Sequence, residues 1–484
     1  MPRSLKLTLY AVAALLAAAA LTAAIMLLSW RAHAKPQVEA AASDALGMQV
    51  SVGGALALKF FPSVAITLND VRIRSHDTDF AQVRQATLDI QLVSLLRRQV
   101  RIPNVRLEHV SISVERDREG KLNVGGSTPG ATVLPELPAT DLSMTDLTFV
   151  YTNRQEGSSV HAGPCNLEAS DLQLAPDKGA DLMQALSFSA KVTCEQLKTK
   201  DLPMTDVAFS IGAAKGVLTT TDLTMHAFGG KGSAAVRGDF SGKVPTYRVH
   251  GVLTKFHLEE FSKNFSQKKI GEGLMDFSTE LTMSGANVDE MTRASSGEAS
   301  LRGTNLTLDV GNLDDELSHY RATQRFTLVD LGAFFLAGPI GLAVTKGIDY
   351  SKVISAEGGT SQVQIFISEW HVERGIAEAK DVAMSTKANR VALKGNLDFV
   401  NQSFQDVTVA VVGQQGCVVV QQKVHGSFGH PDVEKPNVVA SLAGPALHLI
   451  KKASRAMGSH CEVFYAGSLP PPPAAPTMSS ASHN

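Results

Sequence analysis

From residue 49 onward, apolar residues recur at every second position in short runs. Val64, Ile66 and Leu68 form one such run, Leu88, Ile90 and Leu92 a second, and Val110, Ile112 and Val114 a third. Successive side chains of a strand point to opposite faces, so this period describes strands with one apolar and one polar face. The same pattern returns at Leu186, Phe188, Ala190 and Val192, at Leu306, Leu308 and Val310, at Val363, Ile365 and Ile367, and at Val407, Val409 and Val411. Gly238, Gly251, Gly273, Gly285 and Gly297 recur at intervals of roughly 12 residues, the spacing of strands joined by tight turns. The predicted fold class is therefore mostly β, a long antiparallel meander. No fixed sequence repeat accompanies the spacing, so neither a propeller nor a leucine-rich solenoid has support.

The period breaks in one place. Residues 314–324 and 330–354 carry helix-like stretches, apolar around Leu331 to Val344 and interrupted by Gly338-Pro339. Two or three short helices are expected there, in the C-terminal half. The run is too short to span a bilayer; it either plugs the sheet or forms an interfacial segment that touches a membrane or seals one end of a groove.

The N-terminus sets the context. Leu7 to Leu28 contains no charged residue, and at about 1.5 Å per residue a helix of that length matches a hydrocarbon core of about 30 Å. Trp30 follows at headgroup depth, Arg3 and Lys6 precede the run, and Arg31 and Lys35 come after it. A single transmembrane helix with a cytoplasmic N-terminus is expected. Ala32-His33-Ala34 imitates a cleavage site, but the apolar run is longer than that of a removable signal peptide. Gln37 to Leu46, closed by Gly47, reads as a short helix.

With 19% charged residues, 6% aromatics and a formal net charge of −2, the chain has no basic field for a polyanion, which argues against nucleic acid. Its four cysteines allow three pairings; the sequence-local one, Cys165–Cys194 with Cys417–Cys461, is favoured and suits an oxidising compartment. The common hydrolase, nucleotide and calcium motifs are missing, and His257, His371 and His425 have no ligand spacing. Asp314-Asp315-Glu316 suits a helix start, and Gly229 to Gly232 a turn. Neither an enzyme nor a cofactor or metal is expected.

These features divide the chain into a stub and anchor at 1–34, a β section at 35–124, a Gly/Pro-rich junction at 125–138, a middle β section at 139–295, a C-terminal section at 296–469 with the helical insert near 314–354, and a Pro-rich tail at 470–484 expected to be disordered.

The stretch GALALKFFPSVAITLNDVRI, Gly54 to Ile73, resembles the N-terminal signature of the AsmA family of bacterial envelope proteins: a strand, a Phe61-Pro62 step and a second strand ending in Leu68-x-x-Val71. Val93 to Val124 is similar to the next element of that family, closing on Gly120-x-x-Asn123. Phe326 to Pro339, Gly416 to Pro431, Ala443 to Ala453 and Cys461 to Pro470 resemble its C-terminal region, while Gly130 to Met291 matches only in texture.

The resemblance implies an inner-membrane-anchored periplasmic protein related to bridge-like lipid transfer proteins, with a curled antiparallel β-groove for phospholipid. Its partners would be phospholipids, the inner membrane and, at the C-terminal end, the outer membrane or one of its proteins. The inward aliphatic residues Val64, Ile66, Leu68, Leu88, Ile90, Leu92, Leu306, Leu308, Val363, Ile365, Val407 and Val409 would line the groove. Alternation alone fits a filled β-sandwich equally well. The alternative function is an envelope-assembly factor that acts on outer-membrane proteins by strand addition.

Overall fold

The structure, a computed structural model, describes residues 35–40, 42–44, 48–59, 64–75, 78–91, 101–123, 137–155, 157–174, 182–199, 202–263, 269–309, 311–315, 335, 359–435, 437–438 and 462–471. The expected anchor Leu7–Leu28 with Trp30, most of the insert, and the tail beyond Pro471 lie outside them. Among the described residues no helix is long and apolar enough to cross a membrane. The chain divides into two compact units, residues 1–200 and 201–484, a boundary that falls inside the section 139–295.

In the first unit, β1 (Gln49–Val52) and β2 (Leu56–Lys59) pair with successive halves of β3 (Val64–Ser75). β4 (Thr78–Ile90) and β5 (Asn104–Arg116) follow antiparallel. The next strand corrects the expected meander: β6 (Leu137–Asn153) runs parallel to β5. A parallel neighbour requires a crossover longer than a hairpin, and residues 117–136 supply one. Its start is a turn locked by Asn123, whose Oδ1 accepts from Glu115 N at 2.8 Å and whose N–H donates to Glu115 O at 2.9 Å. β7 (Ser158–Leu174) and β8 (Leu186–Thr199) resume antiparallel order.

The outer edge of β1 is covered. Residues 35–40 and 42–44 are helical, with Val38 and Ala42 packed on the apolar cluster of Val50, Val52, Leu68 and Val83. Glu39 Oε1 accepts from Val52 N at 2.7 Å and Ser43 Oγ from Val50 N at 2.9 Å. Edge donors that would otherwise recruit another strand are thereby satisfied.

In the second unit, β9 (Pro203–Ala214), β10 (Val217–Ala227), β11 (Gly230–Asp239) and β12 (Thr246–His257) form a meander. β13 (Gly271–Glu272) and β14 (Leu274–Ser284) are one strand broken at Gly273; both pair with β15 (Ser296–Leu308), and β14 also pairs with β12. β16 (Ser361–Glu373), β17 (Ile376–Ser385), β18 (Arg390–Asp398), β19 (Ser403–Val412) and β20 (Val418–Ser427) continue antiparallel, ending on β21 (His430–Val433) and β22 (Asn437–Val438). The expected helical insert is helical where it is described, at residues 313–315 and at Phe335, and further short helices lie at Leu182–Ala185, Leu258–Ser262 and Val288–Arg293. The last has a capping box: Asn287 Oδ1 accepts from Glu290 N, and Glu290 Oε2 from Ala286 N.

A short repeat runs through the strands that period-two counting passes over. Leu68-Asn69-Asp70-Val71 on β3 has counterparts ending in His109-Val110, Asp146-Leu147, Asp171-Leu172, Asp206-Val207, Asp222-Leu223, Lys255-Phe256, Asn305-Leu306 and Asp406-Val407. In each, the third residue is left-handed, with φ between 50° and 54°. Asp and Asn tolerate that conformation best, and seven of the nine positions carry them. At Asp146, Asp171, Asp206, Asp222, Lys255 and Asp406 the pairing register shifts, so the extra residue makes a bulge, two inward residues stand three apart and alternation resumes one step later. Several bulge N–H groups find side chains on the neighbouring strand: Asp146 N on Asn166 Oδ1 at 3.3 Å, Asp171 N on Asp141 Oδ1 at 3.1 Å, and Lys255 N on Asp276 Oδ1 at 2.8 Å.

The glycines expected at turns mostly sit elsewhere. Gly238, Gly251 and Gly297 lie inside β11, β12 and β15. Their role is lack of bulk on a face, not freedom at a turn.

Candidate functional site: an apolar sheet face with an open and a filled stretch

In the first unit the apolar face is graded. Val64 and Leu68 are buried, whereas Ile66, Leu88 and Ile90 are half-buried, as are Leu107, Ile112, Met144 and Leu147 on the strands alongside. Register sets Ile66 opposite Leu88, Leu88 opposite Val105, and Val105 opposite Leu142, so one aliphatic row crosses four strands. Leu92 lies outside the described residues. On the reverse face, Arg72, Gln82 and Ser111 are exposed.

In the second unit the face of β9 to β12 is likewise half-buried, at Phe209, Ile211, Leu223, Met225, Val249 and Leu253. Here the strands build a trough. Ala234, Gly251, Thr279 and Ala299 are register partners in sequence across β11, β12, β14 and β15, and form a floor of small side chains. One wall is Val236, Val249 and Leu281; the other includes Leu253, Phe277 and Leu301. Among the described residues a Cβ built on Gly251 would meet only Thr279 Cγ2, at 3.6 Å, an ordinary contact that leaves room for a side chain at that position.

The floor ends at Trp370, the register partner of Ala299 and only 2% exposed. From there on the face is packed solid. Leu306 and Leu308 have no exposure, and Val363, Val407 and Val409 have 1% each. Phe335, a described residue of the central insert, is fully buried and stacks on Phe366 with centroids 5.4 Å apart. Its carbonyl accepts from Ser368 Oγ at 2.9 Å, and Ser368 Oγ accepts from Trp370 Nε1 at 2.7 Å, so both buried side-chain donors of this seal have partners.

Ile365 departs from the expected face. The pairing with β15 keeps its register across Asn305, with Leu306 opposite Val363 and Thr304 opposite Ile365; β16 itself changes face, since Val363 and Phe366, three apart, both lie in the main core. Val363 belongs to the main core, while Ile365 packs with Ile367, Ala383 and Tyr465 in a separate cluster. The cysteines divide similarly. Cys165 and Cys194 are register partners on β7 and β8 and are disulfide-bonded; Cys417 is also disulfide-bonded, and Cys461 lies outside the described residues.

Polar chemistry on the reverse face is dispersed. A depression of about 490 Å³ over β12 to β17 mixes His250, Glu280, Glu298 and His371 with Arg302 and Glu369, which leaves no field of one sign. Glu259 is half-buried; burial raises its carboxyl, but hydrogen bonds from its surroundings, including His257 and Gly273 N, outweigh that and hold it below the usual range. Its contacts belong to the break at Gly273. No group of three metal-binding side chains occurs among the described residues.

Comparison with known families matches residues 1–131 and 150–333 to the AsmA family, well over half of the chain. The chain belongs to the AsmA family. No curated protein matches it at a significant level. The AsmA match includes the middle strands, where the sequence resemblance was only textural, and ends at residue 333, inside the first of the C-terminal strings that resembled the family and before the other three. The half-buried apolar faces of β3 to β8 in the first unit and β9 to β14 in the second thus lie almost wholly within the AsmA-matched residues, and the packed core of β16 to β20 lies beyond them.

Proposed function

We propose that this AsmA-family chain binds and carries phospholipid acyl chains on the half-buried apolar faces of its two units, β3 to β8 in the first and β9 to β14 in the second, between the inner membrane, where Leu7–Leu28 anchors it, and the outer membrane. The observation that supports the reading is the small-residue trough at Gly251, where among the described residues an added Cβ would meet only Thr279, flanked by apolar walls and stopped by Trp370. An acyl chain of about 15 methylenes loses on the order of 12 kcal/mol of favourable burial when it enters water. A carrier must therefore offer a continuous apolar surface wide enough for a chain, and a floor of Ala, Gly and Thr between rows of Val, Leu and Phe has that form. Handling the lipid unchanged calls for no catalytic group, consistent with the dispersed polar residues.

Strand addition, the alternative, has less support at the described N-terminal edge, where Glu39 and Ser43 already occupy the β1 donors. The test is to fill the trough. Gly251→Trp keeps an ordinary extended backbone and places an indole over the floor; it is expected to lower phospholipid recovered with the detergent-purified protein several-fold while leaving its circular dichroism unchanged. Undiminished lipid in a folded Gly251→Trp protein would overturn the reading.

A further inference from the structure

The face of β16 to β19 opposite the main core is covered by residues 462–471 of the same chain. Ala383, Ala392 and Ala410 form a shallow small-residue bed, and Tyr465 and Leu469 lie on it, beside Ile367 and Val412, all buried. The polar contacts of this strap converge on two side chains of the sheet. Asp381 accepts from Tyr465 Oη at 2.5 Å, from Ser468 Oγ at 2.6 Å and from Ser468 N at 2.9 Å. Arg390 donates to Leu469 O at 2.8 Å and to Gly413 O at 2.9 Å, with its guanidinium 5.2 Å from the Tyr465 ring centre. At the strap's start, Phe464 N and Tyr465 N both donate to Gly416 O, and Val463 bridges to Cys417.

Cys417 is disulfide-bonded, Cys165 and Cys194 are bonded to each other, and the chain has four cysteines, which leaves Cys461. We propose that residues 462–471 are a redox-set latch: a Cys417–Cys461 disulfide holds the strap on its alanine bed, and reduction of that bond releases it and uncovers Ile367, Ala383, Ala392, Ala410 and Val412.

With the bond made, the residue before Glu462 is tied covalently to Cys417, next to the Cys417–Val463 bridge at the strap's start. With it broken, the strap is kept on its bed by its non-covalent contacts with Gly416, Asp381 and Arg390, and the effective concentration that the local bond supplies is lost. The release step balances simply. A thiolate of an external dithiol attacks one sulfur of the Cys417–Cys461 bond and expels the other as a thiolate. The second thiol of the reagent then displaces Cys417 or Cys461 from the mixed disulfide, leaving two protein thiols and an oxidised reagent. The bed lies on the face opposite the proposed lipid surface, so the latch stands or falls independently of that reading.

Hydrogen–deuterium exchange of the full chain tests it, in a Cys165→Ala/Cys194→Ala background so that only the Cys417 bond can be reduced. In oxidised protein the amides of Tyr465, Ser468 and Leu469 are expected to be protected. Dithiothreitol is expected to speed their exchange at least tenfold while the β12 to β15 amides keep their protection. Cys461→Ser should exchange like the reduced protein without reagent, and Asp381→Asn should speed exchange in the oxidised protein. Should Cys461→Ser fail to fold, the reduced and oxidised forms of the background protein still decide the matter. Equal strap exchange in the two forms would overturn the proposal, as would non-reducing peptide mapping that finds Cys417 bonded between two chains.

Discussion

At single positions, the backbone conformation of the third residue in each strand repeat is the feature with the sharpest consequence. Asp406 has φ 50° and sits exposed between Phe404 and Val407, both buried. A β-branched side chain there meets the left-handed penalty of about 1–2 kcal/mol, whereas glycine meets none. Asp406→Val is therefore expected to lower unfolding free energy by about 1–2 kcal/mol in urea, and Asp406→Gly to change it by less than about 0.5 kcal/mol; equal effects would show that the conformation carries no strain. Asp381 offers a pH test. Burial by itself raises its carboxyl, but hydrogen bonds from Ser468 and Tyr465 and the Arg302 charge outweigh this and hold it below the ordinary carboxylate range. A depressed acid stabilises its contacts above its unfolded pKa and loses them as pH falls through the folded one. Strap protection should accordingly be flat from neutral pH down to about 5 and disappear only below about 4; loss between pH 6 and 7 would implicate another group. The inward residues Val64, Ile66 and Leu68 were readable because no bulge interrupts them. Ile365 was not, because β16 sets Val363 and Phe366, three apart, on the core side, a step that period-two counting does not show.

For whole strands, pairing partners were legible as hairpins and illegible as crossovers. Period two says that β5 and β6 are strands with apolar faces, but direction depends on the chain between them, and the Gly/Pro-rich residues before Leu137 carry no periodicity from which to read it. The Cys165–Cys194 bond, by contrast, follows from spacing that two adjacent strands satisfy. Closing a loop of 29 residues is worth about 3–4 kcal/mol in the chain-entropy account. Cys165→Ala/Cys194→Ala is expected to lose that much stability in the first unit in guanidinium titrations, and a loss below about 1 kcal/mol would show that the sheet alone fixes β7 on β8. The seal at the end of the trough was half legible. Its apolar run suggested a plug, while the pairing of Phe335 with Phe366 and the Ser368 relay depends on tertiary placement. Phe335→Ala should cost about 3–5 kcal/mol of second-unit stability if the ring is the core residue its burial implies.

Across the molecule, a single sequence pattern produces two physical outcomes. The same alternation that leaves Leu88 and Leu253 half-buried places Leu308 and Val409 in a solid core, because what fills the face comes from segments distant in sequence. Alternation therefore could not separate a groove from a sandwich, and the chain contains both half-buried and filled stretches. Membership of the AsmA family, the half-buried faces of β3 to β8 and of β9 to β14, and the Gly251 trough are the grounds for the proposed acyl-chain binding. The most direct measurement is photo-crosslinking in living cells, with a photoreactive residue placed singly at Ile66, Leu88 or Leu253 on the apolar face and at Gln82, Ser111 or Arg248 on the reverse. The account predicts phospholipid adducts at the first three positions and none at the others. Equal labelling of both faces, or no lipid at Leu88 and Leu253 in folded protein, would contradict it.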